Sequence, residues 1–177
     1  DGSHEHGAFI NQQERKNILR NRLKRFLTLT AFFIAVSCLA IISTSAYSET
    51  CESVVHALNQ RLSSGINEQE LVLILKTLNS TAHKRLPSKF VTKKQAMAAG
   101  WKPGKNLWSV VALKGKSIGG DTFDNREGRL PEKHRREADL DYHGGRRGSK
   151  RLVFSDDGTR MVTVDHYQTF TEAPACR

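Results

Sequence analysis

A chain of 177 residues with 28 Lys and Arg against 18 Asp and Glu has room for one domain with extensions, and hardly for two full domains. Its formal net charge of +10 favours polyanionic partners without choosing among nucleic acid, lipid headgroups and simple solubility, and aromatic residues at 7% are too few for a many-ringed single-strand stacking platform. Three cysteines, Cys38, Cys51 and Cys176, form no C-x-x-C pair, which argues against a structural zinc site.

Residues 1–25 read as an N-terminal extension, polar at first and then basic. His4 and His6 make a weak metal-binding pattern that an exposed polar tail explains better, so no function is attached to them. Arg20, Arg22, Lys24 and Arg25 precede a mostly apolar run, Phe26 to Ile42, and small residues follow as far as Ser48. A basic flank, an apolar core and an A-x-A-like site are the parts of a secretory signal, placed here over residues 26–48. An uncleaved membrane anchor is the alternative, since the run is just short of a comfortable span. Basic residues before the run put the C-terminal part outside the cytoplasm in either case, secreted or periplasmic. With the run removed, Cys51 and Cys176 bracket the remaining chain and predict a terminal disulfide; two unpaired thiols are the other possibility.

Residues 49–85 predict helices. Val54, Val55, Leu58 and Leu62 recur at helical spacing from Cys51 until Ser63-Ser64-Gly65 stops them. Asn67 can cap a second helix that carries Leu71, Val72, Leu73, Ile74, Leu75 and Leu78 and ends before Pro87. Within residues 86–177, Thr92 is a good cap for a short third helix, Lys93 to Ala99, ended by Gly100. After Gly119-Gly120 the pattern changes to short candidate strands: Ser117 to Thr122, Arg135 to Leu140, Ser149 to Ser155, Arg160 to Val164, and the strand-like Asp165 to Phe170. Asp156-Asp157-Gly158 is a hairpin signal. Helices first and strands afterwards predict an α+β domain, with N-terminal helices packed on a C-terminal antiparallel sheet.

Asp165-His166-Tyr167-Gln168-Thr169-Phe170 sets an imidazole beside an aromatic ring, which alone is more often structural than catalytic. Neighbouring antiparallel strands can bring Glu137, Arg151 and His166 onto one face, and alternation keeps Arg135, Glu137 and Asp139 together. From composition, a solvated charged face and a catalytic face both remain open.

Several motifs in register carry a resemblance. Lys116-Ser117-Ile118-Gly119-Gly120-Asp121, Phe123, Asn125-Arg126-Glu127-Gly128, Leu130-Pro131, Arg136-Glu137-Ala138-Asp139 and Asp165 to Phe170 resemble the barnase and binase family of extracellular bacterial ribonucleases. Leu86-Pro87, Thr92-Lys93, Gly100-Trp101 and Asn106-Leu107 extend the match upstream. The resemblance implies a microbial ribonuclease fold and a guanyl-preferring endoribonuclease acting on single-stranded RNA. It makes Glu137 the general base on the ribose 2′-OH and His166 the general acid on the leaving 5′-oxygen. Lys93, Arg147 and Arg151 become the phosphate-binding cations of the transition state. Phe123, Asn125, Arg126, Glu127 and Tyr167 become base-recognition residues, and Asp121 and Asp139 positioning residues. No metal or other cofactor is implied, because the attacking group belongs to the RNA. The implied partners are RNA and a barstar-like inhibitor, and a monomer without stable membrane association is expected once the signal is cleaved. Departures from the family are Asp124 in the base loop, a shortened Glu132 to Arg135 loop, Lys150 in place of an acid, and the helix and cysteine at the two ends. The competing readings are a non-catalytic basic RNA-binding, polyanion-binding or antimicrobial protein, and a membrane-tethered toxin nuclease.

Overall fold

The computed structural model describes residues 19–22, 24 and 49–177, and Ser48–Arg177 forms one compact unit. The predicted signal run, Cys38, His4 and His6 lie outside the described residues. Among the described residues, no helix is long and apolar enough to cross a membrane.

Helix α1 spans Cys51–Asn59 and begins where the Thr50 hydroxyl accepts from Ser53 N. It stops short of the predicted Leu62. The Asn59 side chain accepts from Ile66 N at 2.8 Å and donates to Glu68 Oε1 at 2.8 Å, folding the chain back into the next helix. Helix α2, Glu68–Ser80, has the predicted Asn67 cap, with Glu68 and Glu70 in the first turn where the helix dipole favours negative charge. Helix α3, Lys93–Ala98, starts in a full capping box between Thr92 and Gln95.

Among the described residues, six strands follow one another in space as in sequence: β1 Phe90–Val91, β2 Ser117–Thr122, β3 Arg136–Asp139, β4 Arg151–Phe154, β5 Arg160–Thr163 and β6 Thr171–Glu172. The fold is α+β, but the sheet is mixed and not wholly antiparallel. Strand β1 runs parallel to β2, pairing Phe90 with Ser117. Helix α3 and two 3₁₀ turns, Leu107–Ser109 and Val111–Leu113, form the crossover that a parallel pair requires.

Alternation divides the antiparallel strands into two faces. Ala138, Leu152, Phe154 and Val162 are buried with Leu58, Leu71, Ile74, Leu75 and Leu78 in one core. Glycine is required where β2 crosses it: a Cβ on Gly119 would lie 2.6 Å from Phe90 Cδ1 and 3.0 Å from Ala138 Cβ. Next to it, Gly120 takes φ 95° at the irregular register between Gly119 and Asp121.

Cys51 and Cys176 form a disulfide across a sequence separation of 125. Closing so long a loop stabilises the fold by up to about 5 kcal/mol in the chain-entropy model. The two ends also share backbone bonds, Cys51 N to Arg177 O and Arg177 N to Glu49 O.

Asp165 to Phe170 is not a strand. The Asp165 carboxylate accepts from Gln168 N and Thr169 N, both at 3.0 Å, and this local bonding competes with sheet pairing. The chain turns through His166 and Tyr167 at φ 62° and 71°, and pairing resumes only at β6.

Candidate active site

The sheet face away from the helices carries Asp121, Glu137, Asp139 and Arg151, whereas Arg136 and Arg160 stand in register with Phe154 on the other face. Register sets Asp121 opposite Glu137 and Asp139 opposite Arg151, so alternate residues of three strands share a surface. Glu137 is buried and its carboxylate is gripped from two sides. Lys93 Nζ lies 3.0 Å from Oε1, and the Tyr167 hydroxyl donates to Oε2 at 2.6 Å. Burial, then the bond to Glu137 and its charge, push the Tyr167 phenol well above its ordinary range, so it stays a donor at neutral pH.

Lys93 comes from the first turn of α3. Both carboxylate oxygens of Asp121 approach its backbone N–H, at 3.1 and 2.9 Å, so Asp121 holds the lysine by the main chain and leaves the ammonium for Glu137. Asp139, 2% exposed, holds two arginines. Arg147 clasps it with two bonds of 2.6 and 2.7 Å, a bidentate pairing that fixes the guanidinium plane. Burial of Arg147 opposes its charge, but the bond and charge of Asp139, with Glu137 and Tyr167 adding, raise its pKa overall. Arg151 Nε lies 2.9 Å from Asp139 Oδ1 as an ion pair too bent for a hydrogen bond, while its Nη1 donates to the Gly148 and Lys150 carbonyls.

His166 is exposed, its ring centroid 5.2 Å from that of Tyr167. Tyr167 packs in turn on Phe123 at 5.4 Å. The loop beyond Phe123 is braced by one residue: Asn125 donates to Leu130 O at 2.7 Å and accepts from Leu130 N at 3.2 Å. Asn125 itself sits at φ 46°, a backbone region that Asn tolerates better than most residues. Among the described residues, the backbone N–H groups of Asn125, Arg126 and Glu127 meet no acceptor. Asp124 pairs with Arg126 at 3.1 Å on the exposed rim.

Lys93, Phe123, Asn125, Arg126, Glu127, Glu137, His166 and Tyr167 therefore line one cleft of about 290 Å³. A second cavity, about 470 Å³, adjoins it across His166 and is lined by Trp101, Lys105, Arg146, Arg147 and Arg151 among others. Every residue singled out from the sequence for chemistry lies in or directly behind these two spaces; the disulfide belongs to the helix-side core instead. Three contributions escaped the sequence. Lys105 and Arg146 join the second cavity from separate loops, and only the Gly144-Gly145 turn beside Arg146 hinted at an exposed basic tip. The third, the grip of the Tyr167 hydroxyl on Glu137, has no sequence signal. Among the described residues, no three His, Cys, Asp or Glu side chains gather as metal ligands.

Fold and site together define an α+β unit, Ser48–Arg177, with a cleft lined by cationic side chains that also holds a carboxylate and an imidazole. A family model described as ribonuclease matches residues 76–174. The chain is 38% identical over 159 residues to a ribonuclease of Bacillus pumilus, covering 85% of this chain and 97% of that protein. It is 37% identical over 158 residues to a ribonuclease of Bacillus intermedius, with the same coverage of 85% and 97%. A ribonuclease of Heyndrickxia coagulans is 52% identical over 91 residues, 50% of this chain and 83% of that one. The chain belongs to this ribonuclease family, the one its sequence motifs resemble.

Proposed function

We propose that the protein is an exported endoribonuclease that cleaves single-stranded RNA on the 3′ side of guanosine, by transesterification followed by hydrolysis. The observation that supports this most is the convergence of Glu137 and His166 on one cleft, with the base loop at one end and arginines at the other. In the first step Glu137 takes the proton of the ribose 2′-OH, the 2′-oxygen bonds to phosphorus, and the 5′-oxygen leaves with a proton from His166. The product is a 2′,3′-cyclic phosphate. Water then opens it to a 3′-phosphate with the two proton-transfer roles exchanged, each role supplying about 10²–10⁴-fold. Lys93, Arg147 and Arg151 offset the charge that builds on the pentacoordinate phosphorus. DNA is excluded because it lacks the 2′-OH.

Guanine fits the loop chemically. The exposed Glu127 carboxylate can accept from N1–H and the exocyclic amine, and the N–H groups of Asn125 and Arg126 can donate to O6. The RNA downstream of the cut lies in the second, basic cavity. A disulfide joining the two ends of the unit accords with an oxidising compartment. An acidic, barstar-like protein is the inhibitor that such a basic cleft would accept.

Cleavage of four dinucleotides that differ in the 5′ base tests activity and base choice together. Guanosine at that position should be cut fastest, and Glu137→Gln should lower turnover by about 10²–10⁴-fold. Equal rates for all four would remove the base assignment alone. Full activity in Glu137→Gln would remove the mechanism. RNA binding without turnover in the wild type would favour a polyanion-binding protein.

A further inference from the structure

The turn that replaces the predicted strand at Asp165 to Phe170 touches every part of the site. His166 lies at the junction of the two cavities, the Tyr167 hydroxyl reaches Glu137, and the Tyr167 ring packs on Phe123 at the root of the base loop. His166 and Tyr167 are consecutive non-glycine residues at positive φ, a conformation that persists only where the surroundings over-determine it.

Two side chains supply that determination. Asp165 Oδ1 accepts from Thr163 Oγ1 at 2.9 Å and from the N–H groups of Gln168 and Thr169 at 3.0 Å each. Its Oδ2 accepts from Thr169 Oγ1 at 2.6 Å. Thr163, 1% exposed, uses its hydroxyl both ways, donating to Asp165 and accepting from Tyr167 N at 3.0 Å. Thr163 also pairs with Arg151 across the β4–β5 register, so the turn is anchored to the strand that carries a phosphate-binding arginine.

We infer that Asp165 and Thr163 are positioning residues, which hold His166 and Tyr167 in their left-handed backbone and so set the imidazole and the grip on Glu137 at once. The inference rests on the catalytic reading of Glu137 and His166. It assigns the work to hydrogen-bond geometry: an amide oxygen at position 165 can take the same three Oδ1 donors, and the Thr169 hydroxyl can rotate to accept from the amide nitrogen.

Steady-state cleavage of a guanylyl dinucleotide by folded variants tests it, with near-UV circular dichroism checking the fold. Asp165→Ala should lower kcat by about 10–100-fold, with KM within about twofold, because misplaced reacting groups cost turnover and not binding. Asp165→Asn should keep kcat within about threefold of wild type. Thr163→Val, which keeps the shape and loses both bonds, should repeat the kcat-only loss and serves if the alanine variant does not fold. In a His166→Ala background, Asp165→Ala should lower kcat less than it does in the wild type, because the share of the loss carried by the imidazole is already gone and only the grip on Glu137 remains to be lost. Wild-type kcat in both Asp165→Ala and Thr163→Val overturns the inference, and so does an asparagine variant as slow as the alanine one. Undiminished cleavage by His166→Ala alone would instead overturn the catalytic reading.

Discussion

The two faces of the sheet are built from alternate residues of the same short strands, yet they obey opposite rules. Toward the helices, Ala138, Leu152, Phe154 and Val162 are buried among aliphatic side chains, and what matters there is volume and shape. Toward the cleft, Glu137, Asp139 and Arg151 are nearly as buried, at 7%, 2% and 4% exposed, but every one is charged and paired. Burying charge is costly unless partners are already in place. The cleft face is therefore assembled as a network, in which Asp139 aligns two arginines while Lys93 and Tyr167 grip Glu137. One face can lose a methylene and relax. The other cannot lose a partner without stranding a charge.

That contrast can be broken at Asp139, where the largest effect is expected. Asp139→Ala should lower unfolding free energy by about 3–5 kcal/mol, since Arg151 would stay buried without its carboxylate. It should also depress dinucleotide cleavage, because Arg147 loses both anchoring bonds. Urea denaturation with parallel kinetics reads both quantities; a stable, fully active variant would mean that the arginines find their places unaided. On the opposite face, Leu152→Ala should cost about 2–5 kcal/mol through lost burial and a residual cavity. Cleavage per folded molecule should stay at the wild-type level, because Leu152 points away from the cleft. If its kcat collapsed alongside its stability, the two faces would not be separable.

The smallest effect concerns the turn and depends on pH. The Thr169 hydroxyl, followed by the Thr169 N–H, the Thr163 hydroxyl and the Gln168 N–H, holds the Asp165 carboxyl at about 2, below its ordinary 3.8. A carboxyl depressed in the folded state contributes stability above its unfolded pKa and loses it as pH falls through the folded one. Asp165→Asn should therefore be less stable than wild type at pH 7, with the gap closing as pH falls from about 4 toward 2. Denaturation midpoints across that range check it, and a gap independent of pH would show that the charge of Asp165 plays no part in stability.

The local features were legible because their causes are local. Asn67 and Thr92 announced two helix starts, since a short polar side chain before an apolar repeat has few other uses. Strand β2 occurs at its predicted residues, and the Asp156-Asp157-Gly158 hairpin closes with Ser155 N on Thr159 O. Alternation alone placed Glu137 and Asp139 on a shared side. The same local reasoning misjudged two places. A strand-like reading of Asp165 to Phe170 hid a carboxylate able to bond backbone three and four residues ahead, and the two-residue β1 gave too little pattern to be seen as a strand.

By itself, then, the sequence determined the three helices, strands β2 to β5, the shared side of Glu137 and Asp139, and the family through motifs in register, and it offered the cysteine pair beside two unpaired thiols. Only the tertiary structure decided which groups meet: Lys93 and Tyr167 on Glu137, two arginines on Asp139, Lys105 and Arg146 in one cavity. The reason is physical. Periodicity and capping act over a few residues, whereas a paired charge is set by partners that strand register and loop closure bring from far along the chain.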